Sequence, residues 1–112
     1  KLAARDELRG PALAELAKLD DASFRAMFTK SPVKRIGRDR FLRNVLTAIG
    51  NSNDKSLASE ARRLLDDESP LVRGAAVWAL SRLLPREEFS ELAARSHDAD
   101  EHVRSEWAAA LA

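Results

Sequence analysis

Six cations crowd fourteen residues of this 112-residue chain. Lys30, Lys34, Arg35, Arg38, Arg40 and Arg43 fall between positions 30 and 43, against the single acid Asp39. Lys offers a compact point charge and Arg a planar fork of donors, so such a set suits anionic oxygens, phosphate above all. Arg38 and Arg40 fall where a helix should begin, in the turn whose dipole disfavours positive charge. No further acid within the stretch offsets them. A bound phosphate would resolve that conflict, because free N–H groups and Arg side chains would converge on it. Gly37 would let backbone approach closely. A plain solvated loop is the alternative reading. Ser31, Gly37 and Asn44 are secondary candidates in the same stretch, and Arg73 and Arg104 lie further along the chain.

Other chemistry finds little support. The chain has no Cys, which removes disulfides, thiolate catalysis and thiolate-bound metal from these residues. It has no Tyr, and its two histidines, His97 and His102, are five apart around a turn, a poor spacing for a shared metal. Asp66, Asp67 and Glu68 read as charges at a helix start, and Asp98, Asp100 and Glu101 repeat them one unit later. No catalytic set, metal set or Gly-rich phosphate loop is assigned. Arg73 and Arg104 occupy equivalent repeat positions and read first as salt-bridge partners of an acidic turn. Trp78 and Trp107 read as packing residues, with base stacking the minor alternative.

The elements that must position the cations are helical. Ala and Leu dominate, aromatics are 5%, and the four Gly and four Pro fall between apolar patterns. Helical spacing over 11–19 and a short second helix through Phe24, Met27 and Phe28 should cap the end of a core. Positions 29–37 read as a loop opened by Ser31-Pro32, followed by a helix over 38–49 stopped at Gly50-Asn51. On that helix Arg40, Arg43, Asn44 and Thr47 follow an i, i+3, i+4, i+7 pattern and form one polar stripe. Four further helices follow, punctuated by Asn51–Asp54, Asp66–Ser69, Pro85 and Ser96–Asp100.

Hydrophobic residues make up 45%, enough for one domain with a core. The net charge of +1 hides a split: residues 1–50 carry 11 basic and 6 acidic side chains, and residues 51–112 carry 8 and 12. One end thus suits a polyanion. No apolar run is long enough to cross a bilayer, and no start resembles a signal peptide. The sequence opens on Lys1 and its only Met is Met27, which reads as an excised piece of a longer protein, with tag removal the plain alternative.

A repeat organises residues 37–112. Val72-Arg73 recurs as Val103-Arg104, with Asp67 and Asp98 five residues before each Val and Leu80 and Leu111 eight after. Leu42-Arg43 keeps the hydrophobic part 30 residues earlier. A period of 30–31 with two helices per unit means stacked helical hairpins. The pattern resembles HEAT-like repeats, so the expected fold is an all-α superhelix of about three hairpins. Residues 1–36 would form a helical cap and basic loop on the same single domain.

Ser31-Pro-Val-Lys-Arg-Ile-Gly-Arg-Asp-Arg-Phe-Leu-Arg-Asn44, Ile49-Gly-Asn51 and Leu71-Val-Arg-Gly-Ala-Ala-Val-Trp-Ala-Leu80 together resemble the C-terminal region of bacterial epoxyqueuosine reductase, over roughly residues 10–112. The resemblance implies a cytoplasmic iron–sulfur oxidoreductase of queuosine biosynthesis, a tRNA-modification pathway. Members use cobalamin and two 4Fe–4S clusters to reduce epoxyqueuosine at the tRNA wobble position. The cobalamin and ferredoxin-like domains come first, and a HEAT-like domain helps hold the anticodon stem-loop. Without the cluster cysteines, this chain would be the C-terminal piece alone, with no cofactor and no catalysis of its own. The expected partners are the tRNA anticodon stem-loop and the upstream domains of the same chain, with a monomer as the expected state. A protein-interaction or interdomain docking module without RNA contact is the alternative.

Overall fold

Asp20 accepts a hydrogen bond from the Ser23 backbone N–H at 2.7 Å, and that cap separates the first two of the described helices. The computed structural model describes residues 10–112. Within them the chain forms α1 (Gly10–Ala17), α2 (Asp21–Met27), α3 (Arg38–Gly50), α4 (Ala58–Leu64), α5 (Pro70–Leu83), α6 (Arg86–Ala94) and α7 (Glu101–Leu111). Two short 3-10 helices, Pro32–Ile36 and Lys55–Leu57, lead into α3 and α4. The stretch expected as a plain loop before α3 is therefore ordered as one of them. Ser31 accepts from Val33 N–H at 3.2 Å, and Pro32 supplies the fixed φ that starts a turn.

The other boundaries follow from local chemistry. Ser69 and Asp100 accept from Val72 and Val103 N–H, and Pro70 stands at the start of α5. Pro85 ends α5 by holding Leu84 extended, then opens α6. Gly50 does not act as a left-handed stop after α3. It is the last helical residue, and a Cβ there would lie 2.5 Å from the Trp78 ring. The space left by its hydrogen is what admits the indole.

Helices α3, α5 and α7 lie side by side, with α5 in the middle. Helix α1 packs on α3, α4 on α5 and α3, and α6 on α5, while Phe89 of α6 meets Trp107 of α7 at 5.2 Å. The expected stack of helical hairpins is what forms. Leu42, Leu46, Ile49, Leu64, Val72, Val77, Leu80 and Val103 are fully buried, together with Leu13 of α1. The buried core among the described residues is entirely apolar. Phe24, Phe28 and Phe41 pack mutually at 5.0–5.3 Å where α2 meets α3. Met27, expected to join them, is instead 57% exposed. No helix among the described residues is long and apolar enough to cross a membrane.

Candidate nucleic-acid interface

Helix α3 carries the cations on a rigid support. Leu42, Val45, Leu46 and Ile49 are buried, which turns Arg40, Arg43, Asn44 and Thr47 outward as one exposed stripe. The 3-10 helix before it presents Lys34 and Arg35 to solvent. Lys30, Ser31, Pro32, Lys34 and Arg35 line a shallow recess of 540 Å³. Gly37 joins the two segments at φ 85, in the left-handed region, and caps α3 without a side chain. Lys30, Lys34, Arg35, Arg40 and Arg43 are all exposed, and none forms an ion pair among the described residues.

Arg38 behaves differently. Its guanidinium meets Asp67 through two hydrogen bonds, Nη2 to Oδ1 at 2.6 Å and Nη1 to Oδ2 at 2.9 Å. Its Nε donates to the Leu19 carbonyl, and Asp39 receives a further bond from Nη1. The expectation that no acid offsets Arg38 is therefore corrected. The offsetting acid comes from the turn before α5, 29 residues away, where the local sequence cannot display it. Burial opposes ionisation of Asp67, but the Arg38 bonds and the Ser69 N–H outweigh it and hold the carboxyl below its ordinary range. The Arg38 guanidinium is correspondingly held more firmly protonated, mainly by the Asp67 hydrogen bonds.

The same link recurs one unit on. Arg73 Nε and Nη2 donate to Asp98 Oδ2 and Oδ1 at 2.8 and 3.1 Å, while its Nη1 donates to the Asp67 and Glu68 carbonyls. The Arg73 bonds pull Asp98 below its ordinary range despite some burial, and Arg73 is raised chiefly by the same bonds. Arg104 donates in the same way to the Asp98 and Ala99 carbonyls. Arg73 thus ties its unit to the next, as the salt-bridge reading expects, whereas Arg104 bonds only carbonyls of its own acidic turn and forms no salt bridge among the described residues. Asp67 and Asp98 serve as ladder partners as well as turn formers, a role the repeated D-x-x-x-x-V-R spacing hints at.

The structure divides the sequence candidates into three places. Lys30, Ser31, Lys34 and Arg35 gather at the 540 Å³ recess. Arg40 stands beside Gly37 and Arg38 in a second recess, and Arg43 lines the groove between α3, α5 and α7, where Trp78 is half-buried. Asn44 lies exposed on the α3 stripe. A larger recess among the described residues, of 780 Å³, lies on the acidic side of Arg38. Six carboxylates, Asp20, Asp21, Asp39, Asp66, Asp67 and Glu68, line it against Arg38 and Arg63. Its charge disfavours phosphate. Among the described residues no group of three or more His, Asp or Glu side chains is placed to hold a metal ion.

An all-α stack of helical hairpins, tied by Arg–Asp links and basic along one edge, defines a helical-repeat protein. A family model for HEAT repeats matches residues 37–112, and the chain belongs to that family. It is also similar to curated epoxyqueuosine reductases. That of Alicycliphilus denitrificans is 39% identical over 87 residues, covering 70% of this chain and 24% of the relative. That of Xanthomonas campestris pv. campestris is 39% identical over 82 residues, covering 70% and 22%, and that of Escherichia coli 30% over 82 residues, covering 73% and 22%. The chain spans about a quarter of the length of these relatives. No solved structure matches it.

Proposed function

We propose that this chain is the C-terminal, tRNA-contacting HEAT-repeat domain of an epoxyqueuosine reductase, holding the anticodon stem-loop while the rest of the protein reduces epoxyqueuosine to queuosine. The observation that carries the reading is the set of five exposed cations, without an ion-pair partner among the described residues, on an anchored helix and its lead-in turn: Lys30, Lys34, Arg35, Arg40 and Arg43. A folded stem-loop presents closely spaced phosphates, and proteins hold such RNA largely through shape and backbone. Cations on a rigid edge supply position and affinity rather than base identity. Arg38 belongs to the scaffold in this reading, and Ser31, Gly37 and Asn44 shape the edge. The reduction itself, with the cobalamin and iron–sulfur chemistry of such reductases, falls to the remaining three quarters of the longer protein. The proposed setting is cytoplasmic and monomeric.

Charge reversal tests the reading. Arg35→Glu with Arg40→Glu lowers affinity for a labelled anticodon stem-loop at low salt by at least about tenfold, from two lost phosphate contacts. The helical circular dichroism and melting temperature stay near those of the parent. Unchanged anisotropy titrations would sink it.

A second reading is favoured by the exposure of Met27 at 57% and Ile36 at 41% near the same end. These side chains and the basic edge would dock on the upstream domains of the same protein. In that case the chain alone has no RNA affinity, and the charge reversals destabilise the longer protein.

A further inference from the structure

We propose that the groove between α3, α5 and α7 receives one unpaired base of the bound RNA, with Trp78 as its stacking platform. The inference rests on reading the basic edge as an RNA surface and extends that surface across the repeat stack. The groove has a volume of 330 Å³, and Arg43, Thr47, Leu71, Ala75, Trp78 and His102 are among its lining residues. Leu71, Ala75 and Trp78 are half-buried and form an apolar floor. The rim is polar, with Thr47 on one wall and His102 and Glu106 on the other. An apolar floor that includes an indole, with hydrogen-bonding groups at its edge, suits a nucleobase, whose faces are apolar and whose edges are not.

The indole is held in place before any ligand arrives. Its six-membered ring sits where a side chain on Gly50 would be, and the Arg82 guanidinium carbon lies 5.7 Å from the ring centroid. A ring fixed in this way loses little freedom when a base stacks on it. Charge selects the occupant. Arg43 lines the groove and also belongs to the exposed Arg40–Arg43–Asn44 stripe, so a phosphate on that stripe brings its nucleotide to the groove mouth. Glu106 is the single carboxylate among the lining residues. The surroundings thus favour a polyanion with a stackable group over an apolar peptide.

The test compares two fluorescein-labelled RNAs of equal phosphate number, an anticodon stem-loop and a blunt duplex, titrated against the 112-residue chain, Trp78→Ala and Trp78→Phe. The chain should prefer the stem-loop, and Trp78→Ala should erase roughly 10- to 100-fold of that preference, the range for one stacked base. Trp78→Phe, which keeps an aromatic face, should retain most of it. Intrinsic tryptophan fluorescence of the unmodified chain gives a second readout independent of variant folding: the stem-loop should quench it and the duplex should not. Salt-dependent binding of both RNAs with no preference and no selective quenching overturns the groove inference alone. Binding of neither RNA overturns both this inference and the reading of the basic edge.

Discussion

Arg38, in the first turn of α3, grips Asp67 from the turn before α5 through two hydrogen bonds of 2.6 and 2.9 Å. The pair is mostly shielded, with side-chain exposures of 16% and 9%. It settles an apparent conflict between a cation and its own helix dipole by importing an anion from the next repeat. Arg73 and Asp98 repeat the device.

Removing one partner should therefore act on stability. Arg38→Ala leaves Asp67 half-buried with only the Ser69 N–H, and costs about 2 kcal/mol, as expected for charged hydrogen bonds. That corresponds to a fall in melting temperature of roughly 8 °C for a domain of this size. In a double-mutant cycle, Arg38→Ala and Asp67→Asn should couple by about 1 kcal/mol or more. Strictly additive losses would show that the pair does not hold the units together.

Arg73 and Arg104 share a sequence position but not a partner set. Arg73 reaches both a carboxylate and two carbonyls, whereas the exposed Arg104 reaches two carbonyls. Urea denaturation should show Arg73→Ala more destabilising than Arg104→Ala by about 1 kcal/mol. Equal losses would remove the interunit bond from the account.

Acid should loosen the stack. Asp67 and Asp98 have lowered pKa values when folded, so in acid the unfolded chain binds more protons than the folded one. Their contribution is fully present above the ordinary carboxylate pKa of about 4 and is lost as pH falls through the depressed folded values. Melting temperature should hold steady from pH 7 to about 5 and drop below about 4. The drop should shrink in the Asp67→Asn, Asp98→Asn variant, and an undiminished drop would assign acid lability to other groups.

Gly50 tests the close approach of α3 and α5. Gly50→Ala improves helix propensity by up to about 1 kcal/mol, yet its Cβ would meet Trp78 at 2.5 Å and the Ala79 backbone at 3.2 Å. Overpacking should win, for a net loss of about 1–2 kcal/mol by thermal melting. Trp78→Ala in the same chain should recover part of it. A gain in stability from Gly50→Ala alone would mean that α3 and α5 separate easily.

Much of this architecture is written locally. Helices α3, α5 and α7 are legible because apolar spacing, Ser69, Pro70, Pro85 and Asp100 all act within one or two turns of their own position. The period of 30–31 exposes the stacking, since equivalent Val72 and Val103 must face equivalent neighbours. What stays hidden depends on distant contacts. Asp67 is 29 residues from Arg38, so a stretch that looks uncompensated in sequence is compensated in space. Gly50 resembles a helix stop, yet it is fixed by an indole 28 positions on. For the candidate site, the helical stripe of Arg40, Arg43, Asn44 and Thr47 follows from periodicity. The separation of Arg38 from the other five cations does not.

The most direct measurement is the salt dependence of stem-loop binding by the chain and by Arg35→Glu, Arg40→Glu. If about four cations of the basic edge meet phosphates, a plot of log affinity against log salt has a slope of roughly −3 to −4. The double variant should bind more weakly and flatten the slope by about 2. A slope near zero, or one that the charge reversals leave unchanged, would contradict phosphate contact by this edge.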